Sequence, residues 1–137
     1  HDLVVRAYYV AQSSVDRARY PALRVKSLTS VSGNPAFTDS EVMPGIEDLQ
    51  IQFGIDSAAH DGRASRYVNP DYANLEQQQI VAVRVWVRVR AENPEVGFLD
   101  GHRYEYADVS YAPIGAEQRI RRVLFSRTIA LRNARTS

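Results

Sequence analysis

The sequence predicts an α+β fold that is predominantly antiparallel β, with about six strands, little helix and long loops. Three observations carry this expectation. From Ile80 to Arg90, Val81, Val83, Val85, Val87 and Val89 alternate with Ala82, Arg84, Trp86, Arg88 and Arg90. Five valines at a period of two share one face of a strand and would scatter around a helix. Leu49, Ile51, Phe53 and Ile55 repeat the pattern. Turn signals then punctuate the chain at Ser32-Gly33-Asn34-Pro35, Met43-Pro44-Gly45, Asp61-Gly62, Asn93-Pro94 and Asp100-Gly101.

The elements follow in order. Leu3 to Val10 is rich in Val and Tyr and reads as a strand, and Ser13 to Asp16 is turn chemistry. Leu23 to Leu28 alternates apolar with polar residues, as a half-buried strand does. Ser30 to Ser40 reads as a loop, and Gly45 to Asp48 as a helical turn leading into the strand Leu49–Phe53. Tyr67-Val68 is a short strand, followed by loop with one helical turn over Tyr72 to Gln77. Ile80–Arg90 is the clearest strand. Tyr104 to Tyr111 and Val123 to Leu131 complete the set.

The chain of 137 residues suits one domain spanning 1–137. A domain of this size buries roughly two-thirds of its unfolded surface, enough for a core without covalent staples. There is no cysteine, which excludes a disulfide framework, a thiolate metal site and a cysteine nucleophile. The net charge of +1 gives no overall field that would recruit nucleic acid or an anionic membrane. No run of about 18 apolar residues is present to span a bilayer. The chain opens His1-Asp2 without an initiator Met and runs directly into strand, so it reads as a fragment with its natural N-terminal part left out.

Catalytic chemistry finds little support. His60 and His102 lie beside Asp-Gly or Gly turns, where a histidine is usually a solvated side chain, and His1 is terminal. No Gly-x-Ser-x-Gly elbow and no phosphate-binding glycine loop occurs. Glu47 and Asp48 are adjacent, and on a regular strand they point to opposite faces, which is wrong for an acid–base pair. Between Asp56 and Asp61-Gly62 lie Ala58 and Ala59, which cannot ligate Ca²⁺, so a hairpin turn explains the segment more simply. Arg84, Arg88 and Arg90, with Arg119, Arg121 and Arg122, read as a solvated strand face with charge protecting an edge, in preference to phosphate contacts. Trp86 reads as covered by a second layer, in preference to a stacking platform for a sugar or base. The expectation is no catalytic residue, no cofactor, no metal and no nucleic-acid partner.

Four stretches in order resemble the PilW-type minor pilins: Val4–Val10; Pro44–Asp56, with Gly45-Ile46-Glu47-Asp48-Leu49-Gln50; Ile80–Val85; and Arg121–Asn133, with Arg121-Arg122-Val123-Leu124-Phe125-Ser126. The resemblance implies a pilin-like head whose apolar N-terminal helix, outside this chain, anchors it in the inner membrane and then packs into a fibre. It implies a structural role in priming and capping a type IV pilus, first at the inner membrane and then on the cell surface. The implied partners are other minor pilins, the major pilin and a tip adhesin. The family's Asp-rich turn is matched here by Asp56 and Asp61-Gly62, with Ala58 and Ala59 departing from it. A J-type pseudopilin of type II secretion is similar and stands as an alternative; a β-sandwich carbohydrate-binding module using Trp86 is another. The valine face of Val81 to Val89 is expected to need a cover.

Overall fold

The computed structural model describes residues 3–57 and 61–131. Within them nine strands follow one another: β1 (Arg6–Ala11), β2 (Ala22–Val31), β3 (Asn34–Pro44), β4 (Ile46–Ile55), β5 (Arg66–Val68), β6 (Ile80–Arg90), β7 (Tyr104–Tyr106), β8 (Val109–Tyr111) and β9 (Arg122–Ala130). Two short 3₁₀ turns, Leu75–Gln77 and Gly115–Arg119, are the helical elements. The expected α+β class and pilin-like head are therefore overturned. The described residues form an almost purely antiparallel β structure with no α-helix, in three sheets ordered β1-β2-β3, β5-β4-β6-β9 and β7-β8. The preference for β over helix holds; the count of about six strands falls short.

Three differences have clear physical causes. The stretch read as a loop, Ser30 to Ser40, is a tight hairpin joining β2 to β3. Val31 faces Asn34, and the two residues between, Ser32 and Gly33, both take positive φ, 52° and 81°. That is the left-handed two-residue turn whose twist matches paired strands. β3 carries Pro35 and Pro44, which a strand tolerates because it lies at a sheet edge. Residues 104–111, read as one strand, fold back at Ala107 (φ 50°) into the β7–β8 hairpin. Finally, Gly45 to Asp48 is not a helical turn. β4 begins at Ile46, and the register slips between Ile46, opposite Val89, and Asp48, opposite Arg88, so Glu47 is the extra residue of a β-bulge.

Gly45 joins the two larger sheets. Its N–H donates to Pro21 O at 2.7 Å, and its carbonyl accepts from Arg90 N at 2.8 Å. Its φ is 87°, and a Cβ there would meet the Tyr20 hydroxyl at 2.6 Å and Arg90 O at 3.1 Å. The buried apolar core is small: Ala22, Ile46, Ile55, Val68, Val81, Ala82, Tyr106 and Ile120. The long excursion from β6 to β9 is zipped at its base, with Ala91 N donating to Arg121 O, Glu95 N to Arg119 O and Asp100 N to Gln118 O. The excursion returns over one face of the β4-β6-β9 sheet and carries β7–β8 with it.

Gly45→Ala tests the junction. Left-handed strain of about 1–2 kcal/mol adds to a clash with backbone, so a destabilisation of about 2 kcal/mol or more is expected in urea unfolding. A change below about 0.5 kcal/mol would contradict the geometry.

Candidate functional site

The two faces of the β4-β6-β9 sheet divide the candidate residues, and they do so against the simplest reading of the sequence. Opposing residues in the register share a face, so Asp48, Arg88 and Leu124 lie together, as do Gln50, Trp86 and Ser126, and Gln52, Arg84 and Thr128. Leu49, Val87 and Phe125 lie on the other face, with Ile51, Val85 and Arg127, and with Phe53, Val83 and Ile129.

The charged face is covered at its Arg88–Arg122 end, while Gln50, Gln52, Arg84 and Trp86 are half-buried and Ser126 and Thr128 exposed. Glu47 Oε1 accepts from Arg88 Nε and from Arg122 Nε, both at 2.7 Å. Side-chain exposure is 9% for Arg88, 11% for Glu47 and 0% for Arg122. Arg88 Nη1 donates to the Tyr106 hydroxyl at 2.7 Å, and that hydroxyl donates to Asp48 Oδ2 at 2.5 Å. The Arg88 guanidinium lies 3.7 Å from the centroid of the Tyr111 ring. Arg122 also donates to the carbonyls of Glu117 and Ile120, at 2.7 and 3.1 Å, and pairs with the Glu117 carboxylate. The hairpin thus sets Tyr106 and Tyr111, and the 3₁₀ turn sets Glu117, over two strand arginines. Among the described residues no buried side-chain polar atom is left without a partner.

The bulge at Glu47 corrects one expectation. The two adjacent carboxylates do not point to opposite faces; Glu47 binds Arg88, and Asp48 binds the Tyr106 that Arg88 also binds. Both are committed to this network, which builds a packed layer. A second correction concerns the arginine stripe. β6 is a central strand, Arg88 is buried, Arg90 pairs with Glu117 at 3.3 Å, and Arg84 stacks 3.7 Å over the Tyr67 ring and donates to Thr128 Oγ1 at 3.2 Å. The stripe is neither a solvated edge nor an open phosphate site. Arg121 pairs with Glu95 and lies 4.1 Å over Phe98, while Arg119 is exposed. Trp86 is half-buried, with Arg84 5.8 Å from its ring.

The remaining candidates are loop organisers. Asp100 is buried and accepts from His102 N and the Tyr104 hydroxyl, at 3.0 and 2.8 Å; His102 itself is solvent-exposed. Asp56 is buried, and its Oδ2 accepts from Gly62 N at 2.8 Å, closing the turn. Ala58, Ala59, His60 and His1 lie outside the described residues. Among the described residues no group of three His, Asp or Glu side chains is placed to hold a metal.

Titration follows from this packing. Burial works against the charge on Arg122, but its hydrogen bond to Glu47 prevails and its pKa is raised. Burial also disfavours the charged form of Asp100, yet the His102 amide and the Tyr104 hydroxyl hold its carboxyl below the usual range. Burial, and then the bond to Asp100, push the Tyr104 hydroxyl up to about 12; burial and the bond to Asp48 raise Tyr106 in the same direction.

The opposite face is apolar and open. Leu49, Ile51, Phe53, Val83, Val85, Val87 and Val89 are only half-buried, and Phe125 is 60% exposed. A shallow cavity of ≈ 270 Å³ lies there, lined by Val85, Val87, Phe125, Ser126 and Arg127. The sequence pointed both ways on the polar face, with Trp86 read as covered and the arginine stripe as solvated, while the need for a cover over the valines was visible. The three paired strands thus present a largely apolar surface, with Arg127 at its margin.

Two measurements check this account. Glu47→Ala leaves two buried guanidinium groups short of their shared anion, so a loss of about 3–5 kcal/mol is expected, against less than about 1 kcal/mol for Glu95→Ala at the exposed pair. Equal effects would refute the distinction. On the alkaline side, a tyrosine pKa raised in the folded state gives stability that is full below the unfolded value near 10 and is lost as pH rises toward about 12. Stability should fall over that window, and less so in Tyr104→Phe; an identical decline in both would remove Tyr104 from the account.

Comparison with known families returns a match to the model described as type IV pilus-assembly protein W, over residues 7–133. Neither the curated proteins nor the solved structures contain a match to the chain.

Proposed function

The chain belongs to the PilW family of type IV pilus-assembly proteins, and from that membership we propose that it is a structural minor pilin that helps prime and cap the pilus through contacts with other minor pilins. Membership itself carries the coarser statement, a role in type IV pilus assembly. The observation supporting the finer one is the open apolar face of β4, β6 and β9. Three strands abreast span about 14 Å, somewhat more than the roughly 10 Å diameter of one α-helix. From Val83 to Val89 the open face runs about 20 Å, the length of roughly 13 helical residues.

The occupant assigned here is an apolar helix of the same protein, encoded ahead of His1. It holds the protein at the inner membrane before assembly and packs into the fibre afterwards. The buried Glu47 network is compatible with this arrangement, because it locks the opposite face independently of any partner. Loops and edges then meet the neighbouring minor pilins, the major pilin and a tip adhesin.

Deletion of the gene, scored in parallel for surface pili, twitching and enzyme secretion, tests the proposal. Loss of pili and twitching with secretion intact is the expected result; loss of secretion with pili intact would reassign the protein to a type II secretion system. A point variant addresses the face itself. Phe125→Asp should abolish piliation while the domain unfolds within about 1 kcal/mol of wild type, since Phe125 lies on this face and is 60% exposed. Normal piliation in that variant would remove the valine face from the assembly role.

A further inference from the structure

The four-stranded sheet ends in β9, and β9 is an open edge. Among the described residues no strand lies outside it. Leu131 N donates to Val81 O and Ala91 N to Arg121 O, which fixes the odd-numbered residues of β9 as those bonded inward to β6. In an antiparallel ladder the alternate residues then turn their N–H and C=O outward, here Leu124, Ser126, Thr128 and Ala130.

This edge has few of the usual protections, its exposed charge being Arg127 alone. β9 contains no proline, glycine or acidic residue, and its pairing with β6 is regular over all nine residues. The contrast with the edge strand β3 is sharp. β3 carries Pro35, Pro44, Asp39 and Glu41, and its ladder with β2 is broken by a register shift at Leu23/Arg24. One edge is blunted and the other is left able to pair.

We propose that the β9 edge is a self-complementary pairing site, and that its occupant is β9 of a second copy of this chain, running antiparallel about a two-fold axis at Ser126. The argument is one of register. The axis can pass through a non-bonded pair at Phe125 or Arg127, but each of these pairs only seven of the nine β9 residues and the second sets Arg127 against itself; a bonded pair leaves Leu124, Ser126 or Thr128 as the centre. A centre at Leu124 sets Arg121 against Arg127, a like-charge contact. A centre at Thr128 carries Val123 past the end of the opposing strand. A centre at Ser126 overlaps Arg122–Ala130 completely. It sets Val123 against Ile129 and Phe125 against Arg127 in each half, so two exposed apolar pairs and two arginine–aromatic contacts form at once. Phe125, Val123 and Ile129, exposed at 60%, 52% and 48% in the single chain, gain cover. The two sheets become one, and the valine faces of both copies continue across it. The inference does not depend on the pilus reading.

The chain has no cysteine, so one introduced thiol reports the register directly. In Ser126→Cys the two thiols of a bonded pair would sit on Cα atoms about 5.5 Å apart, within disulfide range. Under mild oxidation Ser126→Cys should cross-link about tenfold faster than Ser30→Cys, which sits on an exposed position of the other sheet. Ser126→Pro removes only an outward N–H and leaves the β6 ladder intact, so it should stay folded by circular dichroism and become monomeric in sedimentation equilibrium. A wild-type chain that stays monomeric at high concentration would overturn the proposal. So would a folded Ser126→Pro dimer, which would mean association through the apolar face, or cross-linking that is equal at positions 126 and 30.

Discussion

The structure depends on one shared carboxylate. Glu47 Oε1 bridges Arg88 on β6 and Arg122 at the start of β9, and the backbone that brings it there is a bulge between Ile46 and Asp48. Buried charges are costly to desolvate, and a lone pair of arginines on a sheet face would normally keep that face in water. With Glu47 between them, and with Tyr106, Tyr111 and Glu117 laid over the top, the arginines instead hold the β6-to-β9 excursion in place. The eight buried apolar residues alone make a small core for a chain of this length, so the ionic layer shares the work of specifying the fold. Removing either partner would leave an uncompensated buried charge, so the layer ties the hairpin to the sheet.

That layer determines which side of the sheet is available. The chain itself closes the Arg88–Arg122 end of the polar face, and leaves Phe125, Val123 and Ile129 exposed on the apolar one. Ordinary two-layer logic puts valines inside and arginines outside. Here one corner departs from that pattern: Arg88 and Arg122 are inside, while Leu49, Ile51, Phe53 and the valines from Val83 to Val89 are half-buried. A protein of pilus assembly has reason to be built this way, since an incomplete core makes association with the rest of the assembly part of completing the fold.

Much of the strand content was legible from residue order, and the failures are instructive. β6 was plain because five valines at a period of two admit one reading, and its observed bounds match the expected ones. β4 and β9 were legible for the same reason. β3 was not, because Asn34–Pro44 has two prolines and few β-branched residues, and its extended form comes from pairing with β2 across the Ser32-Gly33 turn. The same limit hid the site. Adjacent carboxylates point apart on a regular strand, and no local signal announces the bulge that brings Glu47 beside Asp48. Burial of Arg88 and Arg122 rests on residues 104–117, far along the chain, and pairwise tertiary contacts of that kind leave no periodicity to read.

The two exposed features, face and edge, have different chemistry and so select different partners. A face of valine, isoleucine and phenylalanine side chains offers dispersion and desolvation without direction; any apolar helix of suitable width gains from it, and specificity must come from the rim. The β9 edge offers directional backbone bonds, and a one-residue slip would change which side chains meet. Area and direction thus come from two separate features of the same sheet. The unselective surface supplies the area, and the edge supplies the register. Glu47 connects them, because Arg122, the residue it holds at 0% side-chain exposure, is also the first residue of β9. Loosening that ion pair would free the N-terminal end of the edge strand and blur the register on which selective pairing relies.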